Sequence, residues 1–258
     1  MQWFHRSSSE WLDARRNCLT ATDIKEILPV TKTGRKRTVD TENYLKILAK
    51  KLAPVSEDDC FSTGAAARGH VLEPWAIETF NNNSIDLKFF HWDDVIVTRE
   101  NHEPLRLAFS PDAINIKQEK SMGVITEVSP EMKHLAEVKS YYPERHLVCG
   151  YTDKMELEER WQVATAMTVC ETIEDATIIF YNPSMDSKMF TVTYTREDLE
   201  EEMKLIVEAE KNWLDFVENF YGTPANGLIT EGIDESDIIA SIIELEDLNP
   251  EGFKSVVL

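Results

Sequence analysis

Apolar positions alternate with polar ones in some segments of the chain and recur every three or four residues in others, which predicts a mixed α/β protein. Alternation predicts strands over 87–97, 105–116, 122–126, 135–139, 177–181 and 189–194. Helical spacing predicts helices over 40–52, 64–80, 155–170 and 196–220. Interleaved strands and helices of these lengths are typical of a central sheet flanked by helices.

Local signals refine the element boundaries. Thr20-Ala21-Thr22-Asp23 has the spacing of a capping box and predicts the start of a short helix that Pro29 ends. Ser129-Pro130-Glu131 predicts a turn between two strands. Pro74 lies within the helical pattern that begins at Gly64, and a proline fits that pattern well only in the first turn.

Length and composition limit the classes of protein. A chain of 258 residues can bury one substantial core, which fits a single α/β domain with decorations. No apolar run is long enough for a membrane span, and no signal peptide is recognisable, so we expect a cytosolic protein. The four cysteines, Cys18, Cys60, Cys149 and Cys170, are scattered without a C-x-x-C pair, which argues against zinc and iron–sulfur sites and favours reduced thiols.

The net charge of −20 is unusual for a protein that binds nucleic acid. Its distribution is uneven, because residues 1–55 carry 11 Lys and Arg against 6 Asp and Glu, a net charge of +5 that leaves −25 for the rest. A basic loop contains Lys32, Arg35, Lys36 and Arg37. This loop is compatible with a DNA-backbone contact and equally with a solvated charged surface.

Two short motifs indicate the chemistry. Ser110-Pro111-Asp112 follows a predicted strand, and Glu137-Val138-Lys139 lies within the alternation of 135–139, which places Glu137 and Lys139 on one face. Mg²⁺ takes oxygen ligands and few carboxylates from a protein, so Asp112, Glu137 and the Val138 carbonyl predict a metal site. Lys139 would hold and help to deprotonate a metal-bound water, which predicts phosphodiester hydrolysis. An E-x-K triplet alone is also a common charge pair on a strand.

Further motifs stand in a definite order around these two. Trp11, Arg15 and Thr22 come first, Arg68-Gly69-His70-Val71-Leu72-Glu73-Pro74 follows, and Trp161-Gln162-Val163 comes last. From about Trp11 to about Phe216 the ordered set resembles the phage lambda exonuclease family, the YqaJ-type viral recombinases, within the PD-(D/E)xK nuclease superfamily. The resemblance implies a restriction-endonuclease-like core, with a mixed central sheet flanked by helices.

The resemblance also assigns expected roles to individual residues. The expected catalytic and metal-binding residues are Asp112, Glu137, the Val138 carbonyl, Lys139 and Glu73. The expected DNA- and phosphate-binding residues are Arg15 and Thr22 at the 5′-phosphate, with Ser110, Gln162 and Arg145. Two positions depart from the family pattern: Thr22 replaces a serine and keeps its hydroxyl, whereas Glu159 stands where some relatives have tyrosine. Glu73 is also compatible with a purely structural charge in the first turn of a helix.

As a member of this family, the chain would be a Mg²⁺-dependent exonuclease, with Mn²⁺ able to substitute. It would digest linear duplex DNA from 5′ ends, release 5′-mononucleotides and leave 3′ single strands for recombination in a bacterial host cytoplasm. The implied partners are DNA ends, a single-strand annealing recombinase and two further copies of the chain in a homotrimeric ring. The alternatives are an endonuclease of the same fold and a non-enzymatic acidic protein that mimics DNA.

The predicted nuclease domain spans residues 1–221, and an acidic extension spans 222–258. The extension has an apolar stripe that is typical of a helix. The stripe consists of Ile238, Ile239, Ile242, Ile243 and Leu245. It predicts either a packed terminal helix or a partner-binding segment.

Overall fold

A computed structural model describes most of the chain between its second residue and the end of its last long helix. The described ranges are 2–5, 18–31, 34–52, 64–85, 87–91, 95–98, 107–121, 124–152 and 157–221. Trp11, Arg15 and the acidic extension at 222–258 lie outside these ranges. No helix of the described part is long and apolar enough to span a membrane.

The described chain contains both helices and strands, as the hydrophobic pattern predicts. The helices are α1 (Ala21–Ile27), α2 (Thr41–Leu52), α3 (Gly64–Asn83), α4 (Pro143–Thr152), α5 (Leu157–Val169) and α6 (Glu200–Tyr221). The strands are β1 (Gln2–His5), β2 (Leu19–Thr20), β3 (Phe89–His91), β4 (Val95–Thr98), β5 (Leu107–Phe109), β6 (Ala113–Ser121), β7 (Val124–Lys139), β8 (Asp175–Tyr181) and β9 (Met189–Thr195). Helix α4 has no counterpart in the sequence prediction, because its buried positions are few, namely His146 and Cys149.

The strands of the described residues form two mixed sheets. The larger sheet has the order β3-β6-β7-β8-β9, and the β7–β8 pair is parallel whereas the other pairs are antiparallel. The smaller sheet has the order β1-β4-β5-β2, in which β2 runs parallel to β5. The predicted fold class, a mixed central sheet flanked by helices, is confirmed.

Helices cover both faces of the larger sheet. On one face α3 packs through Ala76 and Ile77 against a buried cluster that includes Val138 and Ile179 of the sheet. On the other face, Glu137 and Lys139 contact Gln162 of α5. Because successive side chains of a strand point to opposite faces, the carboxyl end of β7 is held between α3 and α5.

The turn expected at Ser129-Pro130-Glu131 is wrong, because β7 runs through this segment as one strand. Pro130 pairs with Ile116 and Leu135 with Ile114, so the register shifts and leaves a bulge between them. Within the bulge Met132 has a φ of 45°. The side-chain oxygen of Asn115 accepts the N–H groups of Lys133 (3.0 Å) and His134 (2.8 Å), which satisfies backbone donors at the bulge. A proline is tolerated where the ladder is irregular.

Pro74 lies in the middle of helix α3 rather than in its first turn, contrary to expectation. A proline there lacks one helical N–H and costs about 3 kcal/mol. Pro74 is exposed, whereas Ala76 and Ile77 are buried against the sheet. Burial of this apolar face offsets the local cost, so tertiary packing outweighs the helix-breaking signal.

The capping box at the start of α1 is confirmed. Asp23 is buried, and its Oδ2 accepts hydrogen bonds from the N–H (2.9 Å) and hydroxyl (2.8 Å) of Thr20. Lys51 of α2 donates to the same oxygen at 2.7 Å. Burial opposes ionisation of Asp23, but Lys51 and Thr20 outweigh it and lower the pKa of this carboxyl. The box therefore fixes α1 against α2.

The chain divides into two compact units, Met1–Trp213 and Leu214–Leu258. Within the second unit the description covers only 214–221, the end of α6. The domain boundary at residue 221 therefore stays a prediction.

Candidate active site

The carboxyl end of β7 presents an acid and a base on one face. Lys139 Nζ lies 2.7 Å from Glu137 Oε1, as expected for residues two apart on a strand. Lys139 also donates to Gln162 Oε1 at 2.7 Å, and Gln162 Nε2 donates to Glu137 Oε1. Glu137 is only 5% exposed. Gln162, 23 positions from Lys139 in the sequence, thus completes a closed hydrogen-bonded triangle with the E-x-K pair.

Strand pairing brings Asp112 to the same place. The register pairs Ala113 of β6 with Ala136 of β7, so the residue before Ala113 lies opposite Glu137. Asp112 Oδ2 accepts the N–H of Val138 at 2.7 Å, and the Asp112 carboxyl group is hydrogen-bonded to that of Glu137. The two predicted acids therefore meet across the β6–β7 pair, although they are 25 positions apart in the sequence.

Glu73 approaches this pair from helix α3. Its Oε1 lies 3.3 Å from His70 Nδ1, and its Oε2 lies 3.6 Å from His91 Nε2. His91 belongs to β3 and pairs with Ala113, the residue that follows Asp112. Burial opposes the ionisation of Glu73, but His91 and His70 outweigh it and lower the pKa of this carboxyl. Glu73 is therefore ionised close to the other two acids.

Burial, and then repulsion between the acids, perturbs the pKa values of the site. Burial and the negative charges of Glu137 and Glu73 raise the pKa of Asp112 well above its usual value. Burial likewise raises the pKa of Glu137, although Lys139 offsets part of the effect. Burial opposes the charge on Lys139, but Glu137 and Asp112 outweigh it and raise the pKa of the ammonium group. Lys139 therefore carries a proton and holds together a cluster with three carboxyl groups and one ammonium.

The donor set fits a hard divalent cation. Three carboxyl groups converge here, and such oxygen ligands suit Mg²⁺ or Mn²⁺ better than softer metals. In the described part of the chain, no three His, Cys, Asp or Glu side chains form a group arranged to hold a metal ion. Each carboxyl group instead binds donors of the protein: Glu137 binds Lys139 and Gln162, Asp112 binds the Val138 N–H, and Glu73 contacts two histidines. Metal binding would replace part of this network.

A cavity of about 140 Å³ opens beside these acids. Thr22 and Ser110 line it together with Glu137 and Gln162. The parallel pairing of β2 with β5 explains this arrangement, because Thr20 pairs with Ala108, and Thr22 and Ser110 each follow two residues later. The hydroxyl of Thr20 donates to Asp23, whereas Thr22 and Ser110 are exposed. The structure thus places two predicted phosphate-binding hydroxyl residues beside the predicted metal ligands.

Arg145 lies close to Glu159, the residue at which the chain departs from the family pattern. Its Nη2 donates to Glu159 Oε1 at 3.0 Å, and its guanidinium lies 3.9 Å from the ring centre of Tyr141. The Tyr141 hydroxyl donates to the same carboxylate oxygen. Glu159 is 3% exposed, and its charge contributes to the raised pKa of Lys139. Arg145 is therefore tied to an acid at the edge of the site.

Arg37 of the basic loop has a structural role. Its Nε donates to the carbonyl of Leu28 at 2.7 Å, and its Nη2 donates to the carbonyl of Lys25. Arg35 and Lys36 of the same loop are exposed.

Several residues at the site carry no local sequence signal. His91 reaches Glu73 only because β3 pairs with β6, and His70 does so because it lies three residues earlier on the same helix. Asn182 and Arg68 hold the backbone after Lys139. A motif pattern does not reveal such contacts, because they depend on which strands and helices are neighbours.

Two solved structures have a similar fold at low sequence identity. The alkaline exonuclease LHK-Exo from Laribacter hongkongensis matches with a TM-score of 0.56, and LHK-Exo in complex with dAMP matches with a TM-score of 0.55. In each comparison the identity is 17%, and the match covers 83% of this chain and 98% of the other. This likeness shows that the chain shares the fold of this alkaline exonuclease.

Comparisons by sequence address the family to which the chain belongs. No curated protein matches the chain by sequence. Residues 10–173, however, match the family profile of the YqaJ-like viral recombinase domain. This match supports a phage-type exonuclease. It spans every motif from Arg15 to Gln162 and well over half of the chain, which therefore belongs to the YqaJ-like viral recombinase family.

Proposed function

We propose that this protein is a Mg²⁺-dependent exonuclease that digests linear duplex DNA from its 5′ ends and leaves 3′ single strands. The observation that carries the proposal is the convergence of Glu137 and Glu73 on Asp112, with Lys139 bonded to Glu137, next to a cavity lined by Thr22 and Ser110. These acids come from three separate elements, and burying them together costs stability. Such a cost is typical of a functional site.

The residues have distinct proposed roles. Asp112, Glu137, Glu73 and the Val138 carbonyl would hold the cation, with Mn²⁺ able to replace Mg²⁺. When bound, the cation raises the acidity of water and neutralises charge on the phosphate. Lys139 would orient the attacking water through its ammonium group, and the hydrogen bond from Lys139 fixes the side chain of Gln162 beside it.

The DNA end would occupy the cavity beside the acids. Thr22 and Ser110 would donate to phosphate oxygens, and Arg15 would bind the 5′-phosphate through a bidentate contact. Arg145 would contact the DNA backbone from the edge of the site. We further propose that the protein assembles as a homotrimeric ring and delivers its 3′ strands to a single-strand annealing recombinase in the cytoplasm of a bacterial host.

The direct test is release of acid-soluble nucleotides from 5′-phosphorylated linear duplex DNA with Mg²⁺ and with EDTA. We expect 5′-mononucleotides from the linear DNA with Mg²⁺ only, and intact covalently closed circles. Cleavage of circles would identify an endonuclease instead. A lack of Mg²⁺-dependent release from any DNA would favour the acidic DNA mimic.

A further inference from the structure

An arginine of helix α3 holds the backbone that directly follows Lys139. Arg68 donates Nη1 to the Ser140 carbonyl at 3.2 Å and Nη2 to the Tyr141 carbonyl at 3.5 Å. Its guanidinium also lies 5.2 Å from the ring centre of Tyr142. A single side chain thus contacts three consecutive residues after Lys139. A lysine cannot reproduce this fork, because its ammonium group is a single point charge.

Two other elements hold the same segment. Asn182, which is fully buried, donates Nδ2 to the Tyr141 carbonyl at 2.9 Å. The Tyr141 hydroxyl donates to Glu159 of α5. The residue that follows β8 and helix α5 therefore secure the segment after β7 independently of Arg68. Arg68 adds the connection to α3.

Helix α3 also carries Glu73, five residues after Arg68. Five residues correspond to a rise of about 7.5 Å along a helix. At the other end of α3, Asn81 exchanges hydrogen bonds with the backbone of Phe89, at 2.7 and 2.8 Å. The helix is thus fixed on both sides of Glu73, to β7 by Arg68 and to β3 by Asn81.

The position of Glu73 matters because its charge acts on the other two acids. The negative charge of Glu73 contributes to the raised pKa values of Asp112 and Glu137. The strength of this repulsion depends on how far α3 lies from the end of β7. The two hydrogen bonds of Arg68 contribute to this separation, together with the packing of Ala76 and Ile77 against Val138.

We propose that Arg68 is a positioning residue that sets the separation between the Glu73 carboxylate and the Asp112–Glu137 pair, and thereby the divalent-cation affinity of the site. The inference rests on the proposed function, since it assumes that these three acids bind the cation. Arg68 acts through the backbone after Lys139 and through its own helix.

The test compares Arg68→Lys and Arg68→Ala with the wild-type protein. Arg196→Ala is a matched control, because Arg196 also binds backbone carbonyls, those of Met167 (2.9 Å) and Ile173 (3.2 Å). These carbonyls lie at and after the end of α5, far from the three acids in the sequence. The Kd for Mn²⁺ is measured without DNA from the electron paramagnetic resonance signal of free Mn²⁺. The kcat and KM are then measured on 5′-phosphorylated duplex DNA, and melting temperatures are recorded.

Both Arg68 variants should raise the Kd for Mn²⁺ by about 10- to 100-fold, the usual effect of removing a partner that orients metal ligands. The kcat at fixed metal should fall, while KM for DNA stays within about twofold of wild type by the same reasoning. Arg196→Ala should lower the melting temperature but keep the wild-type Kd for Mn²⁺.

An unchanged Kd for Mn²⁺ in folded Arg68→Ala would overturn the inference, as would an increase in KM alone, which indicates a DNA contact. If Arg68→Ala does not fold, the Kd for Mn²⁺ of Arg68→Lys tests the inference instead. A wild-type protein that binds Mn²⁺ but releases no nucleotide would contradict the proposed function, and the Mn²⁺ titrations would still decide the role of Arg68.

Discussion

Replacing Asp112 with asparagine should abolish the activity and yet stabilise the protein in metal-free buffer. The substitution removes one of three negative charges that surround Lys139. The asparagine oxygen can still accept the Val138 N–H, which Asp112 accepts at 2.7 Å. Its amide nitrogen can donate to Glu137, whose carboxyl group is now hydrogen-bonded to Asp112. Above the folded-state pKa of Asp112 both carboxyl groups are charged and repel each other, and there the substitution replaces repulsion with a charge-assisted hydrogen bond.

The expected gain in the free energy of unfolding follows from this exchange of interactions. A hydrogen bond to a charged group contributes about 1.5–3 kcal/mol. For a protein of this size each kcal/mol changes Tm by about 2–4 °C. A gain of about 2 kcal/mol in the free energy of unfolding therefore corresponds to a Tm increase of about 4–8 °C.

The pH dependence of stability independently tests whether Asp112→Asn raises the free energy of unfolding. The pKa of Asp112 is raised in the folded protein, so the folded state binds more protons than the unfolded state at pH values between the two pKa values. The free energy of unfolding of the wild type therefore falls as pH rises through this window, and the destabilisation is complete above the folded-state pKa. The stability advantage of Asp112→Asn should be largest above the folded-state pKa of Asp112 and should disappear below the unfolded pKa of about 3.9.

Thermal melts of both proteins in EDTA and in Mg²⁺, with nuclease assays, measure the effect. The wild type should gain about 2.7 kcal/mol from Mg²⁺ at 100 times its Kd, whereas the variant should gain little. Asp175→Asn is a suitable control, because Asp175 binds His134 at 2.7 Å on the same sheet. This control should lose a little stability and keep the response to Mg²⁺. A variant Asp112→Asn that melts below the wild type in EDTA at alkaline pH, or keeps wild-type turnover, would refute the reasoning.

Three further predictions concern the chemistry, the DNA end and the extension. Lys139→Ala should lower turnover by several powers of ten in a protein that keeps its circular dichroism spectrum, about 1.36 kcal/mol of barrier for each tenfold, and normal turnover would remove Lys139 from the site. Arg15→Ala should slow digestion of 5′-phosphorylated duplex much more than of 5′-hydroxyl duplex; retention of the wild-type preference between these substrates would contradict end recognition. Deletion after Gly227 should spare nuclease activity and weaken association with the annealing protein, measured by titration; unchanged affinity would reject a partner-binding role, and loss of folding would favour a packed helix.

The sequence alone determined the features that depend on neighbouring residues. Strand alternation predicted that Glu137 and Lys139 share a face, and their 2.7 Å contact confirms it. The spacing from Thr20 to Asp23 predicted a capping box, which is also present. Both interactions span three residues or fewer, so backbone geometry fixes them once the element type is known. The order of the motifs indicated the family and hence the fold class.

Only the tertiary structure decided which distant residues meet. Asp112 lies against Glu137 because β6 pairs with β7, and Glu73 contacts His91 because α3 packs beside β3. Arg68 had no predicted role, because its partners are backbone carbonyls that any sequence carries. The same long-range packing overrode two local signals, the turn at 129–131 and the helix break at Pro74. A local conformational preference of a few kcal/mol is overridden when the burial of a whole apolar face stabilises the element by more. The sequence pattern shows that a face is apolar but does not show which other element packs against it.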